Sequence, residues 1–205
     1  TTMYAAQLAG IKVFVTGGIG GVHRGYEETM DVSADLEELA NTDVVVICAG
    51  AKAILDLHRT MEYLETKGVP VIGYQTDVLP AFFSAKSDIP LVERAETPEE
   101  IAKIVAAKDQ LEMHGGLLVV NPIPREFSMD PKQIDEVIEK AVKDARDQGV
   151  SGKDITPFLL REIKAKTEGR SLEANLQLVY NNALVGAQIA RALEELGQPK
   201  KIGGG

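Results

Sequence analysis

The 205-residue sequence predicts an α/β fold, in which a layered βαβ sheet is covered by helices and the C-terminal segment is all-helical. Three observations carry that prediction. Short apolar, β-branched runs alternate with helical patterns through the first 121 residues, the signature of βαβ units around a parallel sheet. After Gly149 only helical periodicity remains. A hydrophobic content of 44% in a chain of this length supports one domain with a substantial core rather than disorder.

Taken in order, Thr1–Ala6 reads as the middle of a helix, with Gly10 as its stop and a strand beginning near Ile11. The strands expected are Lys12–Thr16, Asp43–Ala49, Val69–Tyr74 and Gly116–Val120, with a fainter run at Pro90–Val92. Between them the pattern gives helices near Ala34–Ala40, Ala53–Thr66 and Pro98–Met113. The last is announced by Thr97-Pro98-Glu99-Glu100, where threonine can cap, proline suits the first helical position and Glu100 completes a capping box. Asp130-Pro131-Lys132-Gln133 repeats that logic for a helix running to about Gln148. Helices near Lys153–Lys166 and Ser171–Leu196 follow. Residues 1–199 are expected to form a single domain and 200–205, Lys-Lys-Ile-Gly-Gly-Gly, a flexible tail.

A formal charge of −9 and a pI near 4.9 argue against a general nucleic-acid or membrane-surface binder, because a polyanion would meet repulsion over most of the surface. A local basic pocket for one phosphate stays compatible with that balance. The longest apolar run, Val44–Ala51, is far too short to span a bilayer. Cys48 is the only cysteine and lies inside that run, which excludes an intrachain disulfide and points to an intracellular protein with a small core thiol. The chain opens without methionine and without a signal-peptide pattern, so it reads as a fragment or a processed subunit.

Loops after strand C-termini are where such folds bind ligands, and three unusual sequences fall there: Gly17–Gly25, Gly50–Lys52 and Asn121–Arg125. Lys52 follows a buried strand and two small residues, at the expected mouth of a helix starting near Ala53. Burial and a helix N-terminus both disfavour an ammonium, so this address suits a lysine nucleophile, whereas the plainer reading is a solvated surface charge.

The run Gly17-Gly18-Ile19-Gly20-Gly21-Val22-His23-Arg24-Gly25 fails both nucleotide-binding spacings. His23 stands where a dinucleotide fingerprint needs glycine, and Tyr26 where a phosphate loop needs lysine. What remains is a backbone able to approach a ligand closely, with amides free for an anion, or simply a tight turn.

Met30-Asp31-Val32-Ser33-Ala34-Asp35 supplies two carboxylates and a hydroxyl before a helix. Ser33 can be an N-cap and Asp35 a first-turn acid. Alternatively, Asp31 can offer a hard oxygen to a divalent cation while Ser33 and Asp35 hold a hydroxyl or phosphate. Gln75-Thr76-Asp77 could face the same crevice or form a polar turn. Asn175 and Asn182 are seven apart, on one helical face with Val179 and Gly186, and must bond to neighbouring backbone or to a ligand. His58 and His114 have no metal spacing with each other or with His23 and read as surface residues.

Five ordered blocks, Phe14–Gly25, Asp31–Leu36, Cys48–Lys52, Gly73–Asp77 and Asn121–Pro124, resemble the pseudouridine-5'-phosphate glycosidase family, also called the indigoidine synthase A family. Helix Glu173–Gly186 is a sixth, and the likeness covers essentially all of this chain but not all of the family's. The resemblance implies reversible cleavage of the C–C glycosidic bond of pseudouridine 5'-phosphate to uracil and ribose 5-phosphate. Lys52 is then the nucleophile, forming an imine at C1' that acts as an electron sink.

It further implies that Asp31 holds Mn2+ or Mg2+ with waters completing a hard-ligand shell, and that Ser33, Ala34 and Asp35 contact substrate. His23 and Asn175 enter the active site, and the assembly is a cytoplasmic homotrimer with neither nucleic-acid nor membrane partner. The family's general-acid glutamate and a phosphate-binding lysine fall in roughly the N-terminal third, which has no counterpart here; Glu27 and Glu28 do not match that acid's motif. The third either exists as a separate chain or cleaved piece, or this chain is inactive alone, with strand edges and apolar surface left exposed. A related sugar-phosphate or pigment-pathway enzyme on the same scaffold, and a noncatalytic sugar-phosphate-binding subunit, are the alternatives.

Overall fold

The computed structural model describes residues 1–150 and 154–197. Its central sheet contains β1 (Val13–Val15), β3 (Val45–Cys48), β5 (Val71–Tyr74), β6 (Glu93–Ala95) and β7 (Leu117–Val120), all parallel, in the order β1-β3-β7-β5-β6. A separate antiparallel pair joins β2 (Val22–His23) to β4 (Leu55–Asp56), with Val22 opposite Asp56 and His23 opposite Leu55. The helices are α1 (Thr2–Leu8), α2 (Tyr26–Thr29), α3 (Ala34–Asn41), α4 (Leu57–Thr66), α5 (Pro98–Gln110), α6 (Pro131–Asp147), α7 (Ile155–Lys166) and α8 (Arg170–Gly197).

Strand alternation sets the layers, because successive side chains point to opposite sheet faces. Val46, Cys48, Leu118 and Val120 pack with Leu36, Leu39, Leu64, Ile138 and Ile163 of α3, α4, α6 and α7. Val45, Ile47, Leu117 and Val119 pack instead with Ile101 and Val105 of α5 and with Val185 and Ile189 of α8. Both faces are covered, which is why these strands are apolar at every position rather than at alternate ones. Helix α8 belongs to both cores: Ala174 and Leu178 to the first, Val185 and Ile189 to the second. Near its middle Gly186 brings the helix close enough to β1 that any Cβ would run into the Val15 side chain.

The helix starts follow the expected chemistry. Ser33, Asp56, Thr97 and Asp130 each accept a hydrogen bond from a first-turn amide, and Pro98 and Pro131 occupy first helical positions. All four main sheet strands lie within their expected ranges, Val13–Val15 and Val45–Cys48 shortened at both ends and Val71–Tyr74 and Leu117–Val120 only at their starts.

The structure departs from expectation at three places. The fainter strand is Glu93–Ala95 rather than Pro90–Val92; proline cannot donate to a ladder, and pairing begins only where Glu93 aligns with Ile72. The helix expected from Ala53 starts at Leu57, because Leu55 and Asp56 are taken into the pair with β2. The short elements β2, β4 and α2 were not expected at all. Of the helix placed at Lys153–Lys166, α7 occupies Ile155–Lys166, while Lys153 and the tail 200–205 lie outside the described residues.

Strand β1 is an edge with no partner on its outer side among the described residues, and Leu172, Leu176, Tyr180 and Leu184 of α8 are exposed. No described helix is long and apolar enough to cross a membrane.

Candidate active site

All five main strands point their C-terminal ends to one side of the sheet, the side on which open α/β folds bind ligands. There the glycine-rich loop after β1 and the loop after β3 run alongside each other as a continuation of strand pairing. Ala49 N donates to Gly17 O at 2.9 Å, Ile19 N to Gly50 O at 3.1 Å and Lys52 N to Ile19 O at 3.0 Å. Glycine is required at this seam. Gly50 has φ +87° and lies against the Pro80 carbonyl, while a Cβ on Gly18 would come within 2.6 Å of the Phe82 ring. The Val78–Ser87 segment thus closes over the seam, with Phe82 N donating to Ala49 O at 3.0 Å.

Lys52 is half-buried at the end of this seam. It opens a tight turn in which Leu55 N donates to Lys52 O at 3.0 Å. The helix N-terminus expected beside it lies further on, capped by Asp56, so the address differs from the sequence-based one. Strand pairing of Leu55 with His23 takes the residues that a helix from Ala53 would have used. Cys48 is fully buried, and desolvation pushes its thiol up to about 12; it is a core residue and not a nucleophile.

The other expected residues gather around the same glycine loop. Asp35 accepts from Gly20 N at 2.8 Å, and Ser33 accepts from Asp35 N at 3.2 Å while its own N–H donates to Gly21 O at 3.0 Å. Ser33 is therefore an N-cap and Asp35 a loop anchor, and a Cβ on Gly20 would collide with the Ser33 hydroxyl. Ala34, the first residue of α3, is exposed. His23 N donates to Asp31 O at 3.0 Å, and the two side chains face each other at 3.8 Å.

The amides of Ile19, Gly20, Val22 and His23 are thus occupied, Val22 N by the Thr60 hydroxyl at 3.0 Å. This narrows the anion-holding capacity expected of the loop to the amides of Gly17, Gly18, Gly21, Arg24 and Gly25, which have no partner among the described residues; Gly17 and Gly18 are the two in the seam.

Helix α8 closes the seam from the side. Asn182, fully buried, donates to Thr16 O at 3.0 Å and accepts from Asn121 at 3.0 Å, so of the two roles open to it from sequence it takes the one within the protein. Asn175 lies against Gly17, where a Cβ would sit 3.3 Å from its side-chain oxygen. The Gln75–Asp77 segment turns away as a polar turn: Gln75 bonds to Glu96 O and Asp77 pairs with Arg94 at 2.6 Å. His58 and His114 are exposed and pair with Asp88 and Asp43.

The carboxylate of Asp31 is 46% exposed, with His23 as its side-chain neighbour. Among the described residues no three His, Cys, Asp or Glu side chains converge. The donor set fits a hard divalent cation held through one carboxylate with waters in the other positions.

Sequence reasoning missed Phe82, Pro80 and Thr60, which shape the loop without polar chemistry of their own at a ligand. The apolar run Leu79-Pro80-Ala81-Phe82-Phe83 inside a loop was the available signal.

A family model described as indigoidine synthase A like protein matches residues 1–192. The chain is 60% identical over 196 residues to a pseudouridine-5'-phosphate glycosidase of Staphylococcus aureus (strain MW2), covering 96% of this chain and 64% of that protein. It is 60% identical over 190 residues to one from Petrotoga mobilis, covering 93% and 62%. Among solved structures it is similar to a prealnumycin C-glycosynthase in complex with ribulose 5-phosphate, with a TM-score of 0.89, 36% identity and 95% and 64% of the two chains covered. It is also similar to an indigoidine synthase A-like protein from Thermotoga maritima, with a TM-score of 0.85, 38% identity and coverage of 95% and 63%. The chain therefore spans somewhat less than two thirds of the length of the relatives it matches.

The seam yields a stability prediction. Gly50→Ala should destabilise the chain by on the order of 2 kcal/mol or more, from a left-handed backbone and the Pro80 carbonyl together. An unchanged denaturant midpoint would contradict the described approach of the two loops.

Proposed function

The chain belongs to the indigoidine synthase A-like family, and on that premise we propose that its crevice serves reversible cleavage of pseudouridine 5'-phosphate to uracil and ribose 5-phosphate. The observation that carries this reading is the seam itself, where Lys52 is pinned to a glycine loop that keeps the Gly17 and Gly18 amides free at the sheet's ligand-binding end.

In the proposed reaction the Lys52 amine adds to C1' as the C1'–O4' bond breaks, a proton goes to O4' and the sugar ring opens. The C–C bond then breaks with its electron pair going to uracil C5, which takes up a proton, while the nitrogen lone pair forms the C1'=N imine. Water then hydrolyses the imine, releasing ribose 5-phosphate and restoring the amine. The free amides of Gly17 and Gly18 suit the phosphate, as backbone N–H groups in a turn favour anions. Asn175 lies against Gly17, and Ser33 and Asp35 lie against Gly20 of the same loop; in this reading they contact the substrate together with Ala34 and His23. Asp31 would hold Mn2+ or Mg2+, whose positive charge offsets that of the phosphate. Glu27 is a poor general acid, since its hydrogen bond with Arg59 holds the carboxyl below its ordinary range. Homotrimeric assembly and a cytoplasmic setting rest on the family resemblance alone.

The similarity to a glycosynthase in complex with ribulose 5-phosphate supports a second reading, a related sugar-phosphate enzyme on the same scaffold.

Borohydride added with ribose 5-phosphate should reduce an imine onto Lys52, giving a peptide mass increase that Lys52→Ala removes. Labelling of the variant equal to the parent would sink the proposed mechanism, and no labelling of the parent would favour a noncatalytic binding subunit. For the metal, Asp31→Ala should weaken the Mn2+ dependence of imine formation several-fold. A metal titration identical to the parent's would remove Asp31 from that role.

A further inference from the structure

Arg24 follows His23 directly, leaves the β2–β4 pair opposite Ile54, and reaches back across that pair. Its guanidinium Nη2 donates to Ala53 O at 3.3 Å and lies 3.5 Å from Asp135 Oδ1 of α6. Ala53 is the second residue of the turn that Lys52 opens. Lys52's own N–H and C=O are already bound, to Ile19 O and Leu55 N, so the Ala53 carbonyl is the turn's remaining acceptor beside the lysine. Arg24 thereby joins three parts of the molecule: the glycine loop that precedes it, the Lys52 turn, and the first turns of α6. Its side chain is 29% exposed, less than half the exposure of Asp135, so the hydrogen bond to Ala53 is better shielded from water than the ion pair.

We propose that Arg24 is a positioning residue for Lys52. It holds the main chain of the Lys52–Leu55 turn against α6, and so fixes where the amine meets the sugar. The inference rests on the imine reading of the site but does not share its test. The guanidinium faces a carbonyl and a carboxylate of the protein and also borders the cleft lined by Lys86 and Lys132, so a ligand role predicts a raised half-saturation where a tether does not. Displacements of about 1 Å at a reacting group cost up to a hundredfold in rate, so a tether of this kind has a measurable consequence.

Two readouts test it. In the unliganded chain, amide exchange of the segment 52–56 should quicken about tenfold or more in Arg24→Ala, with Arg24→Lys recovering much of the protection and Asp135→Asn giving a smaller change. With ribose 5-phosphate and borohydride, Arg24→Ala should lower the rate of imine trapping at saturating sugar phosphate by about 10- to 100-fold while leaving half-saturation unchanged.

Unchanged exchange in 52–56 overturns the proposal whatever the chemistry turns out to be. A raised half-saturation with unchanged trapping rate also overturns it, since Arg24 would then be a substrate ligand. If the parent forms no imine, the proposed function fails, and the exchange measurement still decides the tether. Should Arg24→Ala not fold, the same comparison is made with Arg24→Lys and Arg24→Gln, where equal protection in all three chains counts against the proposal.

Discussion

Everything at the candidate site depends on how closely two loops approach beyond the ends of β1 and β3. Strand pairing does not stop at Val15 and Cys48 but continues through Gly17, Ile19, Gly50 and Lys52 by three further backbone hydrogen bonds. Such pairing requires chain segments without bulk on the facing sides, which is why glycines cluster here. Once the seam is closed, its surroundings follow: Phe82 fits over Gly18, Ser33 against Gly20, and Asn175 beside Gly17. The buried amide of Asn182 secures the arrangement by tying α8 to Thr16 O and to Asn121, so the crevice is braced from the second face of the sheet. A polar group buried this completely is tolerable only because both ends of its amide are satisfied.

The polar side chains divide between those that build the loop and those left for a ligand. Asp35 and Thr60 spend oxygens on amides of the glycine loop and Ser33 caps α3, so the glycine segment is held in place by its neighbours. Asp31 keeps much of its side chain in water, and the Gly17 and Gly18 amides remain without partners among the described residues. In a chain of net charge −9 that small concentration of free donors is the feature suited to a phosphate. Lys52 stands at the junction of these two sets.

Much of this was legible in the sequence, for identifiable reasons. Strands buried on both faces, such as Val45–Cys48 and Leu117–Val120, are continuous apolar runs, and the capped helix starts at Thr97 and Asp130 are read directly from residue type. The Asn182 bonding was foreseen because a buried amide has to find partners. The start of α4 was not. Two-residue strands such as Leu55–Asp56 have too few positions to show a period, and pairing with Val22–His23 links residues more than thirty positions apart. That same pairing moved the helix N-terminus away from Lys52 and brought Arg24 to the turn, so the site's local geometry depended on a contact that no local pattern encodes.

A crystal structure of the chain with ribose 5-phosphate decides whether the seam beyond β1 and β3 is where a sugar phosphate meets Lys52. Density should run continuously from the Lys52 Nζ to C1' of the sugar, with the phosphate at the Gly17 and Gly18 amides. A sugar phosphate bound instead in the neighbouring cleft between Lys86 and Lys132, with Lys52 unmodified and the glycine amides unused, would contradict it.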